Sequence, residues 1–384
     1  MISRRLASFS TNIFSEMSRL ALEKGAVNLA QGFPDFNGPP EILEAAVKAV
    51  REGKNQYARS MGDGELVESI ADKVFRHYKL KYEPYTEIAV VAGATEGMAS
   101  AFLGLLNPGD EVIIFEPYYE SYPAFAALAG AVPSYYTLRF PDFKIDIDEL
   151  EECFSSRTRL LLLNTPHNPT GKVFSREELA GIARLCEKHD VMIVTDEVYE
   201  HLTYDAVRHI PIATIPGARE RTVTISSMGK TFSLTGWRIG WVIGPENIVA
   251  AIQAAHQFIT FAPATPLQVA LAGALKKLGE DYYRKLRKDY TERRSVLMSA
   301  LKTAGFTVAV PRGAYFILAD FSTIWDGDDR AFVRYLIDRC SVAGIPPSVF
   351  YSKNTEEGKH LVRLAFCKQI ETLSKAADLL MRLT

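Results

Sequence analysis

The sequence predicts a three-layer α/β domain built on a mostly parallel sheet, together with a smaller α+β domain. Short, nearly continuous apolar runs alternate with longer helical patterns between residues 87 and 245. Runs of this kind indicate strands buried on both faces, and their alternation with helices implies crossover connections over a parallel sheet. The predicted strands of this sheet are 87–91, 111–115, 160–163, 191–195 and 222–226. A helix is predicted over 95–106, after the first of them.

The C-terminal third has a different pattern. Residues 267–303 read as one long amphipathic helix, followed by strands at 315–319 and 361–366 with a helix over 330–340 between them. The first 45 residues show no sheet of their own, and we expect them to run over the surface and join the smaller domain. The predicted large domain is 46–284, and the small domain combines 1–45 with 285–384.

Composition and charge exclude several function classes. The chain has 384 residues, 47% of them hydrophobic and 23% charged, with a formal net charge of −2. This balance is ordinary for a globular protein and gives no sign of a nucleic-acid or membrane-surface partner. The four cysteines form no CxxC pair, and the seven histidines show no metal-ligand spacing, so no metal is expected. No apolar stretch is long enough to span a membrane and the N-terminus lacks a secretory signal, so a cytoplasmic enzyme is the expectation.

One lysine occupies a position where chemistry is expected. Lys230 lies in the segment Ser226-Ser227-Met228-Gly229-Lys230-Thr231-Phe232, and we expect it on a loop just past the end of a strand. In open α/β sheets this edge is where ligands bind. A lone lysine is far more often a solvated surface residue, so the interpretation depends on its neighbours.

Two neighbouring segments suggest a phosphate site. Gly93-Ala94-Thr95 follows the strand 87–91 and opens a helix, whose N-terminal amides attract anions. Arg238 lies between two glycines and two tryptophans, which favours a buried arginine that contacts phosphate over a solvated one. A glycine at a strand–helix junction is weak evidence by itself, because glycine also serves for its backbone freedom there.

Polar residues also follow two other strands at the same edge. Asn168 lies in the segment 164–171 after the strand 160–163, where a rigid turn explains Pro169 and Gly171 but not the amide. Asp196 follows the strand 191–195 and is costly to bury unless it is paired with a cation. A protonated pyridine nitrogen is such a cation, and Tyr199, one helical turn on, is placed to reach the phenolic oxygen of the same ring.

Seven motifs in order carry a family resemblance. They are GATEG, EPYY, NPTG, DEVY, SSMGKTF, GWRIGW and RLAF. With them the chain resembles the class I and II aminotransferases, which are pyridoxal-phosphate (PLP) enzymes of fold type I, and the match runs from residue 31 to residue 366. The amino-acid sequences of the motifs are most similar to those of the kynurenine, glutamine and methionine aminotransferase branch. The resemblance implies the PLP-transferase fold and a transaminase that works by a ping-pong mechanism on an amino acid and a 2-oxo acid.

The resemblance also implies roles for single residues. Lys230 carries PLP as a Schiff base and moves the proton between Cα and C4′, and Asp196 keeps the pyridine nitrogen protonated. Tyr199 and Asn168 bind the ring hydroxyl, and Tyr119 rather than Tyr118 stacks on the ring. The phosphate is held by a set drawn from three segments: Gly93, Ala94, Thr95, Ser227 and Arg238. The family often has a hydroxyl or tyrosine at the position of Ala94, so that contact is expected from the backbone only.

Substrate and assembly follow from the same resemblance. Arg363 binds the substrate α-carboxylate with Asn168 and the backbone of Gly32, and Tyr57 resembles the tyrosine that reaches the phosphate of the neighbouring subunit. A homodimer with shared active sites is therefore expected. No second arginine presents itself for a distal carboxylate. An apolar pocket is suggested by five aromatic residues, for each of which core packing is the equal alternative: Phe33, Tyr57, Tyr122, Phe258 and Phe261.

Three rival functions are weighed. A C–S β-lyase uses the same lysine, aspartate and arginine, and the sequence barely separates it from a transaminase. A PLP-binding transcription regulator would need a DNA-binding domain ahead of the PLP fold, whose elements begin near residue 41. A NAD-dependent oxidoreductase is excluded because no GxGxxG follows the first strand.

Overall fold

The computed structural model describes residues 4–9 and 13–383. Its strands are β1 (Val27–Asn28), β2 (Ile88–Val91), β3 (Glu111–Glu116), β4 (Val132–Thr137), β5 (Thr158–Asn164), β6 (Met192–Asp196), β7 (Thr222–Ser227), β8 (Gly240–Ile243), β9 (Thr307–Val308), β10 (Phe316–Asp320), β11 (Val342–Ala343) and β12 (Leu361–Ala365). Its helices are α1 (Ile13–Glu23), α2 (Pro40–Arg51), α3 (Gly64–Tyr78), α4 (Gly93–Leu105), α5 (Ser121–Ala129), α6 (Ile147–Glu151), α7 (Arg176–Lys188), α8 (Met228–Thr231), α9 (Glu246–Ile259), α10 (Thr265–Lys277), α11 (Glu280–Thr303), α12 (Asp329–Cys340) and α13 (Ile370–Leu380).

The central sheet has seven strands in the order β2-β8-β7-β6-β5-β3-β4. Only β8 runs against its neighbours, pairing antiparallel with both β2 and β7. The strands β3 to β7 are parallel, and every residue of β3 is buried. Both faces are covered by helices, with α4, α5 and α9 packed on one side and α6 and α7 on the other. The predicted three-layer α/β fold with a mostly parallel sheet is confirmed.

Smaller sheets are formed by the rest of the chain. Strand β10 pairs antiparallel with β9 and β12, and the two-residue strand β1 pairs parallel with β11. The N-terminal segment joins these elements as expected, but only part of it runs over the surface. Leu29 and Ala30 are fully buried, because the backbone of 27–29 inserts between β11 and β12 through hydrogen bonds to both.

The predicted helix over 267–303 is wrong in one respect, since it is two helices. Helix α10 ends at Lys277 and α11 begins at Glu280, with Leu278 and Gly279 extended between them. Glycine is costly inside a helix, and the break lets the two helices pack on different partners. Helix α10 packs on α2 and α3, whereas α11 packs on α13. Both predicted domain boundaries, 45/46 and 284/285, fall inside helices, and the division stays a prediction.

A buried carboxylate ties the central sheet to the segment before β12. Glu116, the last residue of β3, is fully buried and accepts the backbone N–H groups of Ser352, Lys353 and Asn354 at 2.7, 3.0 and 3.0 Å. The Thr137 hydroxyl donates to it at 2.8 Å. All four donors converge on one side chain, so the contact joins the end of β3 to the chain that leads to Arg363.

None of the helices in the described ranges is long and apolar enough to cross a membrane.

Replacing Glu116 with glutamine is expected to destabilise the protein by about 3 kcal/mol, because an NH2 group would then face backbone donors inside the fold. Urea unfolding at fixed protein and PLP concentrations measures the change. Glu44→Gln, the same substitution on an exposed face of α2, is the control. Equal unfolding midpoints for the two variants would contradict the assigned role of Glu116.

Candidate active site

A cavity of about 420 Å³ opens where β5, β6 and β7 end. This is the edge of the sheet that the sequence predicted for the site. Of the predicted site residues, those that line the cavity are Gly32, Ala94, Thr95, Tyr119, Asn168, Asp196, Tyr199, Ser227, Lys230, Arg238 and Arg363. Gly93 adjoins the guanidinium of Arg238. Tyr57 does not line the cavity of its own chain.

Lys230 projects into the cavity from the short helix α8, so the predicted loop is in fact a helical turn that directly follows β7. Its ammonium lies 5.8 Å from the centre of the Tyr199 ring and 5.6 Å from that of Tyr315. Burial lowers the pKa of Lys230 to about 8, against the opposing influence of Asp196. A lysine with such a pKa is partly neutral near physiological pH and is able to act as a nucleophile or base.

Asp196 ends β6 and is 7% exposed. One carboxylate oxygen accepts the Tyr122 hydroxyl at 2.7 Å, and the other accepts the backbone N–H of Val198 at 3.2 Å. Burial raises the pKa of Asp196 despite these two hydrogen bonds. Tyr122, expected as a wall of an apolar pocket, is buried and holds this carboxylate through its hydroxyl.

A chain of hydrogen bonds crosses one side of the cavity. The Asn164 amide donates to the carbonyl oxygen of Asp196 at 2.9 Å and accepts the backbone N–H of Asn168 at 2.8 Å. The side-chain oxygen of Asn168 accepts Nη1 of Arg363 at 3.2 Å. Two strand ends of the central sheet are thereby connected to β12.

Arg363 is 1% exposed, and aromatic rings surround it. Its guanidinium carbon lies 4.3 Å from the centre of the Phe316 ring and 4.8 Å from that of Phe14. Nη2 donates to the carbonyl oxygen of Ala30 at 2.7 Å, and Nε has no partner among the described residues. Burial lowers the pKa of Arg363 to about 10, so the side chain still carries its charge at neutral pH. A buried cation with an unpaired donor suits a carboxylate ligand.

The opposite end of the cavity is rich in donors. Arg238 donates to the Thr95 hydroxyl at 3.3 Å and to the Thr235 carbonyl at 3.1 Å. The prediction that Arg238 is buried is wrong, because its side chain lies at the wall of the open cavity and is exposed. Its backbone is left-handed, with a φ of 53°. Gly93 also has a left-handed φ of 78°, and a Cβ there would lie 2.5 Å from Nη2 of Arg238. The N-terminus of α4, Ser227 and Arg238 together form a cradle for an anion.

The predicted aromatic pocket is only partly present. Phe33 lines the cavity, whereas Phe258 and Phe261 do not. Tyr57 is 83% exposed and meets Phe261 edge-on at 5.2 Å. Tyr119 lines the cavity as expected, while the Tyr118 hydroxyl is bonded to Ser352 at 2.7 Å instead.

Comparison with known proteins shows which family the chain belongs to. The model of the family described as aminotransferase class I and II matches residues 24–380. The chain belongs to this family. It is 43% identical to a probable N-succinyldiaminopimelate aminotransferase of Mycobacterium tuberculosis over 98% of this chain and 97% of that one. It is 39% identical to the methionine aminotransferase of Escherichia coli, over 99% and 97% of the two chains.

Solved structures give the same result for the fold. The N-succinyldiaminopimelate aminotransferase of Mycobacterium tuberculosis superimposes with a TM-score of 0.97 at 42% identity, covering 100% of both chains. The Escherichia coli methionine aminotransferase YbdL superimposes with a TM-score of 0.95 at 38% identity, covering 99% of both. The chain is therefore a PLP-dependent aminotransferase with the fold type I architecture. Its own residues fit that cofactor, with a nucleophilic lysine, a buried carboxylate and an anion cradle around one cavity.

Several residues of the cavity wall were not predicted from the sequence. Phe14, Gln31, Glu120 and Phe316 line it, and Asn164 organises one side of it. Asn164 ends β5 as Asp196 ends β6, so its position at the ligand-binding edge was a usable signal. Phe14 and Gln31 precede the sheet by many residues and carry no such signal.

The rate at which the apoenzyme attaches PLP should rise with pH and level off above about 8. Burial lowers the pKa of Lys230, so the neutral amine that attacks the aldehyde becomes dominant above that pH. Stopped-flow absorbance between pH 6 and 10 gives the apparent pKa. A rate that keeps rising to pH 10 would contradict the lowered pKa, and Lys230→Ala should show no covalent attachment at any pH.

Proposed function

We propose that this aminotransferase transfers the amino group of an apolar, aromatic or amide amino acid, of the methionine, glutamine, phenylalanine or kynurenine type, to a 2-oxo acid by a ping-pong mechanism. The observation that carries the substrate class is the charge of the cavity wall. Within the described residues its only lysine and arginine side chains are Lys230, Arg238 and Arg363. Each of the three has a role in the proposed mechanism, so none remains for a distal carboxylate.

The residues that hold the cofactor are proposed from their places in the cavity. Lys230 is its covalent attachment, and Asp196 faces the ring nitrogen with the hydrogen-bonded carboxylate described above. Tyr199 and Asn168 bind the ring hydroxyl, and Tyr119 lies against the ring. The phosphate is assigned to the donor-rich end, which comprises Gly93, Ala94, Thr95, Ser227 and Arg238. When bound, PLP supplies the electron sink that makes the substrate Cα–H bond acidic.

Lys230 is proposed to move the proton during the reaction. Once released from the cofactor, its amine takes the proton from the substrate Cα and returns it at C4′ of the cofactor. Burial favours this role, since a pKa of about 8 keeps a substantial share of the amine neutral near pH 7 to 8. Asp196 supports the same step from the other end by keeping a negative charge at the ring nitrogen.

Arg363 is proposed to bind the substrate α-carboxylate. Its buried guanidinium keeps an unpaired Nε, and Asn168 already orients Nη1. Gly32 lies at the cavity wall with Phe316 so close that a Cβ on residue 32 would approach that ring to 2.7 Å. The backbone of Gly32 is therefore available to the ligand with no side chain in between.

The side chain of the substrate would meet a neutral or acidic wall. Phe14, Gln31, Phe33 and Glu120 line the cavity apart from the cofactor residues. Glu120 is near enough to raise the pKa of Arg363, acting against the larger effect of burial. A distal carboxylate placed here would lose water without gaining a cation, at a cost of several kcal/mol. A thioether, amide or aromatic group avoids that cost.

N-Succinyldiaminopimelate is a second candidate substrate, since a relative named for it is 43% identical to this chain. That compound carries three carboxylates, of which Arg363 can neutralise one. The described wall provides no further cation for the others, so we place it below the neutral amino acids.

A homodimer with shared active sites is also proposed. Tyr57 and Phe258 are 83% and 87% exposed, which is unusual for aromatic side chains in a single subunit. Tyr57 lies outside the cavity of its own chain, so a role in a cofactor site requires a second copy. In the family that the chain resembles, the tyrosine that matches Tyr57 binds the phosphate in the neighbouring subunit.

The donor preference tests the substrate class. Methionine, glutamine, phenylalanine and kynurenine should each exceed aspartate in kcat/KM by about 100-fold or more, equivalent to about 2.7 kcal/mol. Glu120→Gln should raise kcat/KM for aspartate and leave methionine nearly unchanged. The assay follows the amino acid formed from a common oxo-acid acceptor, which separates transamination from release of ammonia by a β-lyase. A preference for aspartate or for N-succinyldiaminopimelate would contradict the proposed class.

Mixing two inactive variants tests the shared sites. Tyr57→Ala and Lys230→Ala should form hybrid dimers in which one of the two sites is intact. Activity should then rise from near zero toward a quarter of the wild-type value, because about half of a random mixture is hybrid. Mass spectrometry confirms subunit exchange. A mixture no more active than its parents, after confirmed exchange, would contradict sharing.

A further inference from the structure

A fully buried histidine lies between two segments that the proposed function assigns to phosphate binding, one in the site of its own chain and one in the site of the partner. His256, on α9, is 0% exposed. Its Nδ1 lies 3.0 and 2.9 Å from the two carboxylate oxygens of Glu96, and its Nε2 lies 3.1 Å from the carbonyl oxygen of Ser60. Neither His256 nor Glu96 lines the cavity.

The partners of His256 determine which hydrogen bonds its two ring nitrogens make. A carbonyl oxygen only accepts, so Nε2 carries a hydrogen and donates it to Ser60. Glu96 already accepts the backbone N–H of Ala92 at 2.9 Å and the Ser100 hydroxyl at 2.5 Å. Burial raises the pKa of Glu96, but the hydrogen bonds from His256 and Ser100 outweigh it, and the pKa falls below its usual value. Nδ1 and the Glu96 carboxylate therefore form a hydrogen-bonded pair inside the fold.

Each end of this pair contacts a segment that is proposed to bind a phosphate. Glu96 lies in the first turn of α4, and its bond to Ala92 fixes the residue directly before Gly93. Ser60 is three residues from Tyr57, and a second side chain of α9, Gln253, donates to the Ser60 hydroxyl at 2.8 Å. Helix α9 therefore holds the phosphate loop of its own chain and the segment that carries Tyr57.

We propose that His256 and Glu96 are positioning residues that set the phosphate loop 93–95 and fix the segment 57–60 in relation to it. This inference rests on the proposed assignment of both segments to the phosphate. Hydrogen bonds to a buried carboxylate are directional, and removal of one partner leaves the other buried and unsatisfied. The loop then loses its fixed geometry even though no group that touches the ligand has changed.

The experiment compares PLP with pyridoxal, which has the same aldehyde and ring but no phosphate. His256→Gln should raise the dissociation constant of the apoenzyme for PLP by about tenfold, equivalent to one hydrogen bond to a charged group. The dissociation constant for pyridoxal should stay within about twofold. Absorbance titration of the visible band measures both. An equal loss of affinity for PLP and for pyridoxal, or an unchanged affinity for PLP, would overturn the proposal.

Two further variants keep the test decisive. Glu96→Gln retains an acceptor for Ala92 and a donor for His256, so it should fold and weaken PLP selectively by a smaller factor of about three. The matched control is His209→Gln, because His209 is also buried and bonded to a glutamate, Glu197, at 2.7 Å. That pair adjoins Asp196 rather than the phosphate loop. His209→Gln should therefore leave the ratio of the dissociation constants for PLP and pyridoxal unchanged.

A double-mutant cycle separates this inference from the function on which it rests. Thr95→Ala and Tyr57→Phe should each weaken PLP and spare pyridoxal if the phosphate is where we propose. The effect of Tyr57→Phe should shrink in the His256→Gln background, because that segment is then no longer fixed. If neither Thr95→Ala nor Tyr57→Phe changes the affinity for PLP, the phosphate assignment itself is contradicted. If both variants weaken PLP selectively but the effects of Tyr57→Phe and His256→Gln are fully additive, only the role of His256 is overturned.

Discussion

The site depends most on two of the hydrogen bonds that the Asn164 amide makes. Parallel strands end at one edge of the sheet, but that alone does not align the groups that follow them. Asn164 donates to the carbonyl of Asp196 and accepts the N–H of Asn168, and Asn168 in turn holds Arg363. The side chains of Asn164 and Asn168 together therefore connect the acidic end of β6 to the cation of β12.

The electrostatic pattern follows from burial of this edge. Low polarisability around the cavity lowers the pKa of Lys230 and of Arg363 and raises that of Asp196. Each shift favours the neutral form of the isolated side chain, so a bound ligand of complementary charge regains what burial has cost. Burial brings the pKa of Lys230 to about 8, which suits a residue that must exchange protons near neutral pH.

Much of the fold was predictable, because the strands of a covered parallel sheet are short, apolar and separated by helices. The five predicted strands of the sheet lie within two residues of the observed ones, and the residues just after them are those of the cavity. The helix break at Gly279 was missed since amphipathic periodicity continues across it. The burial of Leu29 and Ala30 was missed because a two-residue strand has no pattern of its own.

The site was predictable to the extent that its residues follow strand ends. Lys230, Asp196 and Asn168 are of this kind, whereas Phe14 and Gln31 reach the cavity only through the long-range packing of the N-terminal segment. The exposure of Arg238 was missed because two tryptophans and two glycines around an arginine give no sign that its side chain faces an open cavity. The proposed ligand of Tyr57 belongs to a second chain, so no position relative to a strand end of its own chain could predict that role.

The close approach of Gly93 to Arg238 has a consequence for how such enzymes diverge. That end of the cavity is shaped by backbone amides and by the lack of a Cβ, so few single substitutions there leave the geometry intact. The opposite wall is made of side chains from separate segments, such as Phe14, Gln31 and Glu120, which mutation can exchange one at a time. The substrate specificity can therefore change by mutation while the proposed phosphate site is retained. The relatives of 37–43% identity fit this, because they bear names for different amino donors.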